Sequence, residues 1–181
     1  MIKNSFDKLT DGLVDIIKYS NSDYDYPDLE NVKPDDGVIA EWFYSAFDGS
    51  TNFSELTAIN SYTLQEIKYE EIGELMLGIA LVEMKHYAKL GDFIKKLGGE
   101  TKYSKFNSSS VKIGGNAIEA LKIAIESESD TIDNYNNLVD KISNIPETPT
   151  SKISLKLLTK LINDEVLHKQ LLNDRLKDLE K

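Results

Sequence analysis

IALVEMKHYAKL (residues 79–90) and LINDEVLHKQLL (residues 161–172) decide how this chain is read. In each, an apolar stripe at helical spacing is broken by a glutamate and, three residues later, by a histidine. The first stripe runs Met76, Ile79, Glu83, His86, Leu90, Phe93, Leu97; the second runs Leu158, Leu161, Glu165, His168, Leu172, Leu176, Leu179. Residues three apart share a helix face, so each Glu-x-x-His offers one oxygen and one nitrogen donor to a single point. The chain has 2 histidines, and both are used this way. Chance places a glutamate three positions before a given histidine roughly 8% of the time here, and before both in under about 1%.

Two further stripes carry the same fault. Glu55 lies in line with Ile59 and Tyr62, and Glu128 lies among Leu121, Ile125, Ile132, Tyr135, Leu138 and Ile142. A charged group in a core stripe costs several kcal/mol unless something pairs with it. Four such groups call for a common partner. The spacing brings them to one level: with a turn near Tyr69, Glu55 lies 14 residues before it and Glu83 lies 14 after. In the second hairpin Glu128 is 16 residues before Asn144, and Glu165 is 15 after Thr150. Each pair therefore meets to within about a helical turn, ~5 Å.

The rest of the chain divides around these segments. Residues 5–19 have helical spacing at Phe6, Leu9, Leu13, Ile16 and Ile17, and SNSDYDYPDLENVKPDDG reads as a loop. Its charge runs, Asp23–Asp28 and Asp35-Asp36, read as solvated. GVIAEWFYSAFDG predicts a short apolar helix between Gly37 and Gly49, with Trp42, Phe43 and Phe47 as a plug on a bundle or a dimer contact. Four long helices are predicted: about 52–69, 71–97, 116–144 with Asn116 as N-cap, and from a Ser151 cap to the C-terminus. A crossover of about 18 residues joins the two hairpins, too long for a tight turn. The expected fold is all-α: a four-helix bundle over 51–181, preceded by an N-terminal helical extension over 1–50. Two hairpins joined by one long crossover is the connectivity of ferritin-like bundles, and cytokine-like bundles without a site are the alternative.

Composition bounds the chemistry. A net charge of -10 argues against nucleic acid, which requires a basic face. No long apolar run spans a membrane, the N-terminal stretch does not read as a signal peptide, and a cytoplasmic protein is expected. Without cysteine, any metal must be held by oxygen and nitrogen, which favours iron, manganese or zinc. One glutamate from each of two helices, with Glu-x-x-His from each of the other two, matches the known pattern of carboxylate di-iron or di-manganese centres. The candidate ligands are thus Glu55, Glu83, His86, Glu128, Glu165 and His168. An internal repeat supports a pseudo-twofold site: Tyr62 follows Glu55 by seven residues and Tyr135 follows Glu128 by seven. Glu55 and Glu128 are then terminal ligands, and Glu83 and Glu165 bridges. Tyr62 and Tyr135 are either core packing or hydrogen-bond partners of the ligands, and Asp164 is either an orienting partner of His86 or a surface residue.

Through SELTAINSY, GIALVEMKHYAKLGDFIKKLGG, AIESESDTIDNY and LINDEVLHKQLL, about residues 53–175, the chain resembles the rubrerythrin-like branch of the ferritin-like superfamily. It is most similar to the short clostridial group that lacks a rubredoxin domain, whose usual lead-in YPDLENVKPDDGVIAEWFYSAFDG also resembles. The resemblance implies two metal ions, iron or else manganese, acting on hydrogen peroxide or oxygen. It implies no further catalytic residue beyond the ligands, a separate rubredoxin-type electron donor in place of the missing domain, and a homodimer. Rubrerythrins carry a further glutamate one turn after the third-helix ligand, where this chain has Thr131. Manganese catalase-like dismutation, iron storage and a non-catalytic structural role are the alternative expectations.

Overall fold

A computed structural model describes residues 16–34, 36–101 and 105–181 of the chain. Among these residues there are helices and no strand. A short helix, α1 (Tyr44–Phe47), precedes four long ones: α2 (Glu55–Lys68), α3 (Gly73–Lys96), α4 (Ala117–Ser143) and α5 (Pro149–Leu179). Helix α2 pairs with α3 and α4 with α5, so two hairpins form the bundle, joined by the crossover.

Local chemistry sets the helix ends. Asn116 caps α4 by accepting from the Glu119 amide, as expected, and Ser54, a cap not expected from the sequence, does the same for α2 by accepting from the Thr57 amide. The start of α5 differs from expectation. Thr148 is the cap, accepting from the Ser151 amide, and Pro149 the first helical residue, while Ser151 Oγ accepts from the Thr148 amide from inside the first turn. Proline suits that position because its missing N–H would have had no helical partner. Helix α3 stops after Lys96, and Gly98 beyond it has a φ of 80° that lets the Gly98 and Gly99 amides return to the Lys95 and Ile94 carbonyls.

The expected helix over residues 5–19 lies outside the described residues except for Ile16–Tyr19, which form a 3₁₀ turn. The predicted helix between Gly37 and Gly49 is shorter than expected, a 3₁₀ turn Ala40–Trp42 followed by α1. Its aromatic residues plug one end of the bundle. Phe43 meets Phe93 edge to face at 5.1 Å, and Phe47 stacks on Tyr87 at 4.2 Å. Burying rings of this size stabilises the fold by roughly 1.5–3 kcal/mol each. Of the acidic loop, Asp23, Asp25 and Asp28 are exposed, but Asp36 accepts from the Thr150 hydroxyl at 2.7 Å and helps tie the loop to α5.

The apolar core is split in two. One part, around Phe43, Phe93, Ile94, Leu138, Leu158 and Leu161, fills the plugged end. The other, around Tyr19, Met76, Ile79, Leu121 and Leu172, fills the opposite end. Between them lies a layer of buried carboxylates and imidazoles. No described helix is long and apolar enough to cross a membrane.

Candidate metal centre

Each bundle helix delivers one buried glutamate to this middle layer: Glu55 from α2, Glu83 from α3, Glu128 from α4 and Glu165 from α5. His86 and His168 follow one turn after Glu83 and Glu165 and have no exposed surface. Two four-residue clusters result, Glu55–Glu83–His86–Glu165 and Glu83–Glu128–Glu165–His168, and within each the donor atoms lie within 4.8 Å of one another. The six sequence candidates are therefore neighbours in space, and Glu83 and Glu165 belong to both clusters.

The two shared carboxylates straddle the halves. Glu83 places Oε2 3.0 Å from His86 Nδ1 and Oε1 3.0 Å from His168 Nδ1. Glu165 places Oε1 3.1 Å from His86 Nδ1 and Oε2 3.1 Å from His168 Nδ1. Glu55 reaches only the first imidazole, at 3.5 Å, and Glu128 only the second, at 4.0 Å. Each ring thus turns Nδ1 into the cluster and Nε2 outward.

The outer nitrogens are held differently. His86 Nε2 lies 3.0 Å from Asp164 Oδ2, whereas His168 Nε2 lies 2.8 Å from the backbone carbonyl of Tyr19. Asp164 is itself gripped by Lys160 Nζ at 2.8 Å and the Asn21 amide at 2.5 Å, with the Ser20 and Tyr26 hydroxyls at 3.3 and 3.4 Å. The tyrosines cross between hairpins. Tyr62 on α2 donates to Glu128 on α4 at 2.6 Å, and Tyr135 on α4 donates to Glu55 on α2. Sequence reasoning missed the segment 19–26 and the buried Lys160. A backbone carbonyl leaves no mark in a sequence, but Gly78 inside a helix was a readable hint of a close approach.

Electrostatics sorts the carboxylates into two kinds. Burial, reinforced by Glu83 and by Glu165, pushes Glu55 well above the usual carboxylate range. Burial, with Glu165 and Glu83 beside it, does the same to Glu128. Burial also opposes charge on Glu83, but the adjoining His168 and His86 win and hold it well below that range. Glu165 is pushed up by burial and Glu83, yet the two histidines bring it down overall. On the imidazoles burial disfavours the proton, but the facing acidic groups prevail: His86 is well above the usual value and His168 is pushed up to about 10. The surroundings therefore disfavour charge on Glu55 and Glu128 and favour it on Glu83, Glu165 and both imidazoles. A cation bound among these donors competes with their protons.

A donor-set argument tests whether cations fit. Glu83 Oε1 and Glu165 Oε1 are buried and accept no well-directed hydrogen bond, although an imidazole nitrogen lies about 3 Å from each. Both oxygens therefore keep acceptor capacity that a cation among the clustered donors could use. With six oxygen and nitrogen side chains and no cysteine, the residues fit hard or borderline metal ions.

The Ferritin-like domain profile matches residues 54–181, which takes in all four long helices and the six clustered side chains. The chain belongs to the ferritin-like family. The fold of this ferritin-like chain is similar to that of Mycobacterium tuberculosis bacterioferritin BfrA, with a TM-score of 0.66 and 23% identity over 78% of this chain and 85% of that one. No curated protein matches the sequence at a significant level.

Proposed function

We propose that this ferritin-like chain binds two metal ions, iron in the first instance, and carries out rubrerythrin-like redox chemistry on hydrogen peroxide or oxygen. The supporting observation is the pair of overlapping four-donor clusters that share Glu83 and Glu165. Glu55 and Glu128 would be terminal ligands, Glu83 and Glu165 bridges, and His86 and His168 one nitrogen donor each. Two bound irons would supply the electrons that reduce an O–O bond.

The chain's own groups do the rest. Burial of all six donors keeps bulk water away from the centre. Tyr62 and Tyr135 fix the orientation of Glu128 and Glu55 from the opposite hairpin. Burial and the neighbouring carboxylates favour the protonated forms of Glu55 and Glu128, so cations would compete with protons at these two groups. Thr131, where rubrerythrins carry a further glutamate, is occupied: its hydroxyl bonds the Ser127 carbonyl at 2.9 Å and the Phe53 carbonyl at 3.3 Å. It has no carboxylate to exchange with a histidine. With no cysteine in the chain, a reductase cycle needs a separate electron donor of the rubredoxin type.

The test is to load metal-free protein with iron or manganese and follow peroxide and oxygen consumption, with and without reduced rubredoxin. Peroxide turnover in the iron form supports the reading; donor-independent turnover in the manganese form supports catalase-like dismutation. No turnover in any combination sinks both.

Iron oxidation and storage is the second reading, favoured by the family and by the name of the bacterioferritin neighbour. It needs a closed shell of many subunits. Light scattering separates the readings, since storage requires a cage and tens or more irons per chain, while the redox reading requires two.

A further inference from the structure

The four-helix bundle repeats itself, and the repeat fails at one place. In α5 the residues leading into the motif are Lys160, Asp164, Glu165 and His168; at the same spacing in α3 they are Gly78, Val82, Glu83 and His86. Asp164, one residue before its motif glutamate, accepts from the histidine of the other hairpin. Its counterpart Val82 is fully buried and has no polar atom to offer His168. Lys160, which anchors Asp164, has Gly78 as its counterpart.

The space left by these two substitutions is taken by the segment before the bundle. The Tyr19 ring lies directly on Gly78: a Cβ at that glycine would stand 2.1 Å from Tyr19 Cε2. Tyr19 is 4% exposed, and its carbonyl supplies the acceptor for His168 Nε2 that Val82 cannot. The next two residues are pinned on the other side of the segment. Lys160 Nζ donates to the Asn21 carbonyl at 2.7 Å and Ser20 Oγ at 2.9 Å, and the Asn21 amide donates to Asp164. A stretch of three residues thus orients one imidazole directly and steadies the partner of the other.

We infer that Tyr19, seated on Gly78, is the positioning residue for the metal position beside His168: that position takes its outer acceptor from the N-terminal segment itself, while the one beside His86 takes it from a bundle helix, with the segment only steadying that acceptor. The inference rests on the two-metal reading above. Charge does not separate the halves, because Lys160 offsets Asp164. What separates them is how the acceptor is held: one is a carboxylate on a bundle helix, the other a carbonyl kept in place by a ring against a glycine. Losing the outer hydrogen bond of a ligating histidine typically costs ~10–100-fold in metal affinity.

The test is calorimetric titration of metal-free protein with manganese(II), without peroxide. Two variants should release the same carbonyl by opposite changes of volume: Gly78→Ala, which pushes the ring out, and Tyr19→Ala, which removes it. Each is expected to weaken one binding step by ~10–100-fold and leave the other within about threefold. The weakened step should be the one abolished by Glu128→Ala and kept by Glu55→Ala. Adding Val82→Asp to Gly78→Ala should restore it, since the aspartate stands at the counterpart of Asp164. Equal weakening of both steps, or of neither, in the folded Tyr19→Ala protein overturns the inference. Wild-type protein that binds fewer than two ions overturns the two-metal reading instead.

Discussion

The two halves of the centre are alike inside and unlike outside. Glu55, Tyr62, Glu83 and His86 repeat as Glu128, Tyr135, Glu165 and His168, and each tyrosine reaches the unshared glutamate of the other half. Beyond the imidazoles the likeness ends: Asp164 with Lys160 on one side, a main-chain carbonyl with Gly78 and Val82 on the other. The donors have to face common points, which constrains both halves equally. The groups behind them need only supply an acceptor, and a neutral carbonyl or a charged carboxylate will serve. Symmetry persists where the geometry demands it and lapses one layer out.

The largest expected effect comes from the residues common to both halves. Glu83→Ala or Glu165→Ala should take metal content from two ions per chain to none, as measured by elemental analysis after dialysis. Glu55→Ala or Glu128→Ala should remove one ion each. A loss of both ions from a terminal variant would show that the halves are not separable.

Asp164→Asn comes next. An amide in place of the carboxylate is expected to weaken the position beside His86 by ~10–100-fold, with the other position changed less, in the same titration. An equal effect on both would place Asp164 in general stability and not behind one imidazole.

Protonation should treat the halves alike. Glu55 and His86, and likewise Glu128 and His168, all have their protonated forms favoured, and a cation competes with those protons. Titrations in buffers of different ionisation enthalpy should show proton release with each ion bound, with affinity rising as pH rises. In the metal-free protein the sign is reversed. His168 sits at about 10 when folded against 6.5 ordinarily, so its stabilisation is fully present below pH 6.5 and is lost as pH rises through about 10. The raised Glu55 and Glu128 act in the same direction. Thermal unfolding of metal-free protein should therefore shift down on going from neutral to alkaline pH, and metal should abolish the shift. A metal-free protein that gains stability over that range would contradict the protonation pattern.

The smallest effect is expected at the crossed tyrosines. Tyr62→Phe and Tyr135→Phe each leave one buried carboxyl oxygen without its donor, at about 1–3 kcal/mol in urea unfolding. The two values should agree closely if the inner halves are equivalent, and a clear difference would locate asymmetry inside the donor set.

Sequence periodicity was enough to place the four long helices, because each carries a core stripe that a 3.6-residue period makes visible. Asn116 was legible as a cap, but the α5 cap was misplaced to Ser151, since in Thr-Pro-Thr-Ser several residues can cap and the proline settles which one does. The six charged residues of the middle layer were legible for an energetic reason: a carboxylate or imidazole in a core stripe is costly, and four stripes faulted at one height share a cause. Tyr62 and Tyr135 were legible as partners only through their repeated spacing; that each crosses to the other hairpin depends on how the hairpins face.

What the sequence alone determined is the helical segmentation, the common level of the six donors and the twofold repeat, all of which follow from spacing along a rigid helix. Only the tertiary structure decided which oxygen faces which imidazole, that Lys160 is buried against Asp164, and that the Tyr19 carbonyl serves His168. Those contacts join residues as far as 149 positions apart. The decisive one uses a main-chain atom that every residue possesses, so no side-chain pattern can announce it.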